Sequence, residues 1–344
     1  MTHNTSATAT FAGALPDDLI PHIAAHAREA ELEVQETAAS LIVTVPLARV
    51  ALDRTPSALR VRIAAVDAVA LHNIREYLLH ILDHVAPGLV AAEDWQGDIA
   101  RNRTPLNFCT ATVRGVRRVA PNFLRVELDC ADTKRLAEGR GMHFSIFLPP
   151  AGRTPVWPTL DGAGRTVMPQ GEDQLHRAVY TFVDLDPARG LFTFDVFEHE
   201  GGRATTWART AQRGQIVGIS GPGSGDFPSG QNILIAGDET ALPAIRRILA
   251  HSSADRRGRI LLEVGTVDDI CDLPRPGNME LSWLIRNRGE TLWDHLETAE
   301  LPQGTDRFVW VAADKELVRK AKARFRDNFD IGPKEGYFAY YWEG

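Results

Sequence analysis

The period of the hydrophobic pattern changes once along the second two thirds of this chain, and that change limits the folds open to it. The segments FCTATVRGVRRVA, FLRVELDC, MHFSIFLPP, RAVYTFVDLD and LFTFDVFEHE alternate apolar and polar residues between regularly spaced turns. Short alternating strands of this kind predict an antiparallel barrel, six-stranded once it closes near GQIVGISGPGSGDF. After residue 230 strands and helices take turns. NILIAGD reads as a strand ending in glycine, ALPAIRRILAH as a helix, GRILLEVGTVDD as a strand, and FVWVAADKELVRKAKARFRDNF as a strand and a long basic helix. That order predicts a doubly wound parallel sheet. The expected boundaries are 104–229 for the barrel and 230–344 for the α/β domain.

Ahead of these, residues 1–98 form a separate expectation, a small α+β domain. DDLIPHIAAHAREAEL and ALHNIREYLLHILDHVA carry apolar residues at helical spacing, while SLIVTVPLARVAL and ALRVRIAAV read as strands. The first dozen residues, rich in Ser, Thr and Ala, read as a loose terminus, and QGDIARNRTPLN as a linker. His22 with His26 and His80 with His84 are paired at i and i+4, with His72 nearby. No third ligand of matching logic accompanies a pair, so these histidines read as ordinary helix residues.

Bulk properties exclude several classes. The net charge of -7 argues against a nucleic-acid surface, which relies on clustered Lys and Arg. The chain has 3 cysteines and no CxxC, which argues against a disulfide framework or zinc site and fits a reducing cytoplasm. No apolar run approaches the roughly 20 residues of a membrane span, and the first residues lack the pattern of an export signal. The expectation is a soluble cytoplasmic protein.

Three stretches could carry chemistry. In RAVYTF, Arg177 and Thr181 share one face of a strand and Tyr180 points to the other, so a flat ring held edge-on could use a guanidinium, a hydroxyl and an aromatic face. In EHEGGRATTWARTAQRGQ, Gly201 and Gly202 permit a tight turn before a helix that starts with Ala204, Thr205 and Thr206, a natural seat for a diphosphate. The strand ending at Gly237 leads through Asp238, Glu239 and Thr240 into a helix, which puts ligand space at the carboxyl edge of the sheet. There is no GxGxxG, and Glu263 ends the next strand where an adenosine ribose could lie.

Taken in order, RAVYT, FEHEGGRATTWA, ISGPGSGDF and ILIAGDETALPAI resemble the siderophore-interacting proteins, FAD-dependent ferric-siderophore reductases of the ferredoxin-reductase superfamily. The likeness runs from about Asn107 to Gly344; the first segment resembles a small domain of unknown function found fused to such reductases. The resemblance implies that Arg177 holds an FAD phosphate, that Tyr180 and Thr181 line the isoalloxazine, and that His199, Gly202, Ala204 and Thr205 complete the flavin site. It implies NADPH or NADH as donor beside Gly237, Asp238, Glu239, Thr240 and Glu263, with Trp283 and Arg286 of ELSWLIRNRGE near the nicotinamide cofactor. The implied reaction is transfer of electrons from NAD(P)H through the flavin to Fe(III) of a siderophore, with no catalytic acid or base and no resident metal required. Relatives carry a lysine where Ser145 stands and a base where Glu343 stands, and their Ala-Gly-Glu is AADK here, with Asp314. Those departures disfavour a highly charged catecholate. Two alternatives remain: a general ferric-chelate or flavin reductase, and a non-enzymatic module that binds an iron compound.

Overall fold

A computed structural model describes residues 3–30, 32–89, 95–139, 141–223, 225–301, 304 and 306–343. Glu31 of the first helical stretch and Ser224 of the barrel-closing segment lie outside the described residues. The chain divides into two compact units, residues 1–108 with 152–175, and residues 109–151 with 176–344.

The first unit contains β1 (Thr5–Ala12), α1 (Leu19–Glu29), β2 (Glu33–Glu36), β3 (Ser40–Val45), β4 (Ala48–Thr55), β5 (Ala58–Ala65), α2 (Ala68–Val85) and β6 (Gln96–Gly97). Its antiparallel sheet has the order β2-β3-β4-β5-β1-β6. The opening residues are therefore not a loose terminus. Ala7, Ala9 and Phe11 are buried on one face while Thr8 and Thr10 face out, so a small-residue stretch with period two has enough apolar contact to be an inner strand. The expected linker likewise begins inside the sheet, since Gln96 and Gly97 pair with Thr8 and Ala7. Phe11, Leu19, Ile20, Leu41, Leu79 and Leu82 join the two helices to the sheet in one core. Residues 152–175 belong to this unit and carry a short hairpin, β10 (Thr159–Leu160) with β11 (Thr166–Val167). Arg75 of α2, 1 % exposed, donates to the carbonyls of Ala163 (2.9 Å) and Gly164 and lies 5.7 Å from the Trp95 ring centre. The His22 and His26 rings stack at 5.2 Å, and among the described residues no group of three or more His, Cys, Asp or Glu is placed to hold a metal.

The second unit begins with the barrel: β7 (Phe108–Ala120, which starts at the unit boundary), β8 (Phe123–Asp129), α3 (Thr133–Glu138), β9 (His143–Leu148), β12 (His176–Thr181), β13 (Asp184–Asp186), β14 (Leu191–Phe197), α4 (Arg203–Thr210) and β15 (Ile216–Gly223). The sheet order is β12-β9-β15-β7-β8-β14-β13. Six long strands make the barrel and the three-residue β13 extends one edge. Tyr180 of β12 meets Phe194 of β14 at 4.9 Å, so side chains from the two ends of the order share one interior and curl the sheet. The Cys109 and Cys130 thiols, distant in sequence, lie 3.8 Å apart and are not bonded to each other.

The same unit continues with β16 (Asn232–Gly237), α5 (Leu242–Ala250), β17 (Arg257–Val264), β18 (Asn278–Ile285), α6 (Leu292–Glu297), β19 (Arg307–Asp314), α7 (Lys315–Phe329) and β20 (Gly336–Trp342). These strands form a parallel sheet in the order β18-β17-β16-β19-β20. Both faces are covered. Ile233 and Ile235 pack with Ile245 and Ile248 of α5, whereas Leu234 and Ala236 pack with Leu292 of α6 and Phe325 of α7. Burial on both faces is why the inner strands β16 and β19 read as continuous apolar runs.

Candidate functional site

β12 places its residues by simple alternation. Ala178 and Tyr180 turn toward the barrel interior, while Arg177 and Val179 are exposed on the opposite face, which also carries Thr181. Burial pushes the Tyr180 phenol up to about 12, so it stays neutral. Arg177 Nε donates to Ser145 Oγ at 3.0 Å across the β9–β12 ladder. Among the described residues its two terminal nitrogens have no hydrogen-bond partner. Thr181 Oγ1 lies 3.0 Å from His143 Nδ1, and His143 Nε2 lies 3.0 Å from the Tyr341 hydroxyl. Burial, aided by the positive charge of Arg247, lowers His143 to about 4. A neutral imidazole has one donor and one acceptor nitrogen, so this chain of three groups fixes the Thr181 hydroxyl.

The turn after β14 is held from below. Glu198, 9 % exposed, accepts from Arg209 at 2.6 Å and also from Arg118. Gly201 adopts a positive φ of 76°, and a Cβ on Gly202 would lie 2.7 Å from the His199 ring and 2.9 Å from Thr205 Oγ1. Thr205 Oγ1 in turn accepts from the His199 amide at 3.3 Å. Gly202 is the N-cap of α4 and offers no side-chain cap, so the first turn remains open to an anion. Ala204 and Thr205 are buried beneath that opening.

On the parallel sheet, β16 ends at Gly237, where a Cβ would lie 2.6 Å from Ala241 Cβ and 2.9 Å from the Ala312 carbonyl. Glycine lets the turn lie flat on the sheet edge. Asp238 Oδ1 accepts from the Thr240 amide (2.9 Å) and hydroxyl (2.5 Å), and its Oδ2 accepts from Trp342 Nε1 at 2.7 Å. Burial raises its carboxyl above the usual range. Glu239 receives a two-pronged bond from Arg286 at 3.0 and 2.9 Å, and Arg286 Nε donates to Glu263 at 2.6 Å. The other Glu263 oxygen accepts from the Leu292 amide at 2.5 Å.

These groups meet around a cavity of about 1100 Å³. Of the residues singled out from sequence, Tyr180, Thr181, His199, Asp238, Glu239, Thr240, Glu263 and Arg286 line it. Arg177, Gly202, Ala204, Thr205 and Gly237 are not in its lining and sit in the strands and turns beside it. Trp283 pairs in register with Leu262 and packs half-buried against the core on the α5 side. Sequence reasoning passed over His143, Asp195 and the aromatic wall of Tyr337, Tyr341 and Trp342. The density of aromatics in GYFAYYW, which favours strand, is the signal that would have marked β20. The open α4 turn, the Tyr180 ring and the fixed Thr181 hydroxyl form a set that fits a diphosphate-bearing flavin.

Residues 112–226 match the family model described as the siderophore-interacting FAD-binding domain, and residues 230–344 match that of the siderophore-interacting protein. The chain belongs to the siderophore-interacting protein family. It is 28 % identical over 237 residues to the ferric vibriobactin reductase ViuB of Vibrio cholerae, spanning 65 % of this chain and 85 % of ViuB. It is 28 % identical over 249 residues to the NADPH-dependent ferric-chelate reductase of Escherichia coli, spanning 70 % and 95 %. The crystal structure of a siderophore utilization protein from T. fusca superposes with a TM-score of 0.62 at 26 % identity, over 71 % of this chain and 95 % of that one. The protein is thus an FAD-dependent reductase with NAD(P)H as its electron donor.

Two of the three positions where the sequence is expected to depart from the family, Ser145 and Glu343, have partners in the structure. Ser145 receives the Arg177 bond described above. Glu343 pairs with Lys315 at 2.6 Å, which occupies that cation at the first residue of α7. Lys315, Arg319, Lys322 and Arg203 are absent from the cavity lining.

Proposed function

We propose that this siderophore-interacting protein reduces ferric siderophores or related ferric chelates with electrons from NAD(P)H, releasing Fe(II) in the cytoplasm. The observation that carries the reading is a cavity lined both by the barrel rim (Tyr180, Thr181, His199) and by the carboxyl edge of the parallel sheet (Asp238, Glu239, Thr240). Bound FAD supplies the exchange between a two-electron donor and a one-electron acceptor. In this reading Arg177 and the α4 turn at Gly202, Ala204 and Thr205 hold its diphosphate, while Tyr180 and Thr181 border its ring and His199 closes the turn. Gly237, Asp238, Thr240, Glu239, Glu263 and Arg286 shape the nicotinamide side, and Trp283 supports the sheet behind them. His143 keeps the Thr181 hydroxyl in place, and the carboxylates on Arg286 keep its guanidinium fixed. Reduction serves release because hard oxygen donors hold Fe(III) better than Fe(II).

Purified protein tests the reading directly. The expected result is a yellow protein whose flavin absorbance is bleached by NADH or NADPH without oxygen and returns when a ferric chelate is added. A colourless protein that takes up no FAD would leave only the binding-module alternative. Return of the oxidised spectrum with free flavin but with no ferric chelate would favour a flavin reductase.

A further inference from the structure

The cavity lining carries an excess of negative charge. The described lining residues include the carboxylates of Asp195, Asp238, Glu239, Glu263 and Glu343, and a single Lys or Arg, Arg286. Pairing does not remove the excess. Arg125 neutralises Asp195 with bonds of 2.7 and 2.8 Å, and Arg286 is shared between Glu239 and Glu263. Asp238 has neutral partners, Thr240 and Trp342. The exposed lining residues at the mouth include Tyr340 and Trp342, at 59 % and 45 %, and Glu343, whose partner Lys315 lies 5.7 Å from the Tyr340 ring centre. An approaching chelate therefore meets exposed aromatic surface, the exposed Glu343 and a cation already compensated by it, while the buried carboxylates of Asp238 and Glu239 add negative potential from within the cavity. Aromatic faces and carboxylates both present negative potential.

We propose that this mouth selects ferric chelates of zero or positive net charge, such as hydroxamate complexes, over polyanionic ones, and that Glu343 is the residue that sets the preference by compensating Lys315. The inference rests on the reductase reading and adds the substrate class to it. Repulsion between like charges at an exposed surface is screened by salt, so the preference is strongest at low ionic strength.

Gallium(III) complexes share the charge and shape of the ferric ones and are not reduced under these conditions, so binding can be read apart from turnover. The test measures dissociation constants of gallium tris-acetohydroxamate, which is neutral, and gallium tris-catecholate, a trianion, for the FAD-loaded protein by quenching of tryptophan and flavin fluorescence. Wild type is expected to bind the neutral complex more tightly at low salt, with the trianion gaining affinity as salt rises. Glu343→Gln is expected to tighten the trianion by about three- to tenfold, with a far smaller change for the neutral complex. Glu316→Gln removes an equal charge from the Lys320 pair, outside the cavity lining, and is expected to leave the ratio as in wild type. Tighter binding of the trianion by wild type at low salt, or an unchanged ratio in Glu343→Gln, overturns the inference while chelate-dependent reoxidation still upholds the reductase reading. If neither complex binds and no ferric chelate reoxidises the flavin, the reductase reading falls, and the inference with it.

Discussion

Arg177 stands three residues before Tyr180, so alternation puts the two on opposite faces of β12 and gives Arg177 the same face as Thr181 and Ser145. Its exposed position means that removing it leaves no cavity, and the one buried group that loses a partner is the Ser145 hydroxyl. Arg177→Ala is expected to weaken FAD retention about tenfold or more, as loss of a charged hydrogen bond does, with the apo melting temperature lowered by only about 2–4 °C for the lost Ser145 bond. Flavin fluorescence titration measures the first and circular dichroism the second; unaltered flavin affinity would refute the assignment. His143 makes a different prediction. The unfolded chain takes up a proton near the ordinary value of 6.5, whereas the folded ring does so only near 4. The unfolded state therefore binds more protons between these values, and stability that is full above pH 6.5 is lost as pH falls toward 4, by about 3 kcal/mol at most. Urea midpoints across this range should decline less steeply in His143→Gln; parallel profiles would show that another group carries the acid sensitivity.

At the scale of elements, the parallel sheet was the most legible part of the chain. Strands covered on both faces are apolar where they are covered, and ILIAG, ILL ahead of Glu263, and FVWVAA are. β1 was hidden because Ser, Thr and Ala give little contrast to an alternating pattern, although Phe11 anchors it beside Trp95 at 6.1 Å. The candidate site was legible where local motifs make it, at RAVYT, the Gly202 turn and the Asp238 turn. His143 and the β20 aromatics escaped because their role comes from partners far along the chain, His143 and Tyr341 being 198 positions apart. β1 being an inner strand has a measurable consequence. Phe11→Ala should cost about 3–5 kcal/mol, the usual range for emptying a closed aromatic site. Denaturant unfolding followed by Trp fluorescence measures it, and a loss below 1 kcal/mol, about what an exposed position gives, would mean that the strand is dispensable.

For the whole molecule, the two compact units have separate hydrophobic cores: one gathers β1, α1 and α2, and the others gather the barrel and the parallel sheet. Units with separate cores unfold as separate transitions, and a ligand shifts only the transition of the unit that binds it. All the proposed flavin contacts lie in the second unit. FAD at about a hundredfold excess over its dissociation constant stabilises its host by about 2.7 kcal/mol. For a unit of roughly 200 residues that corresponds to a rise of about 5–10 °C. Calorimetry is therefore expected to show two transitions, of which FAD raises one by that amount, while Phe11→Ala lowers the other. If FAD instead moved both transitions together, the units would be unfolding as one, and the flavin would stabilise the first unit as well as its own.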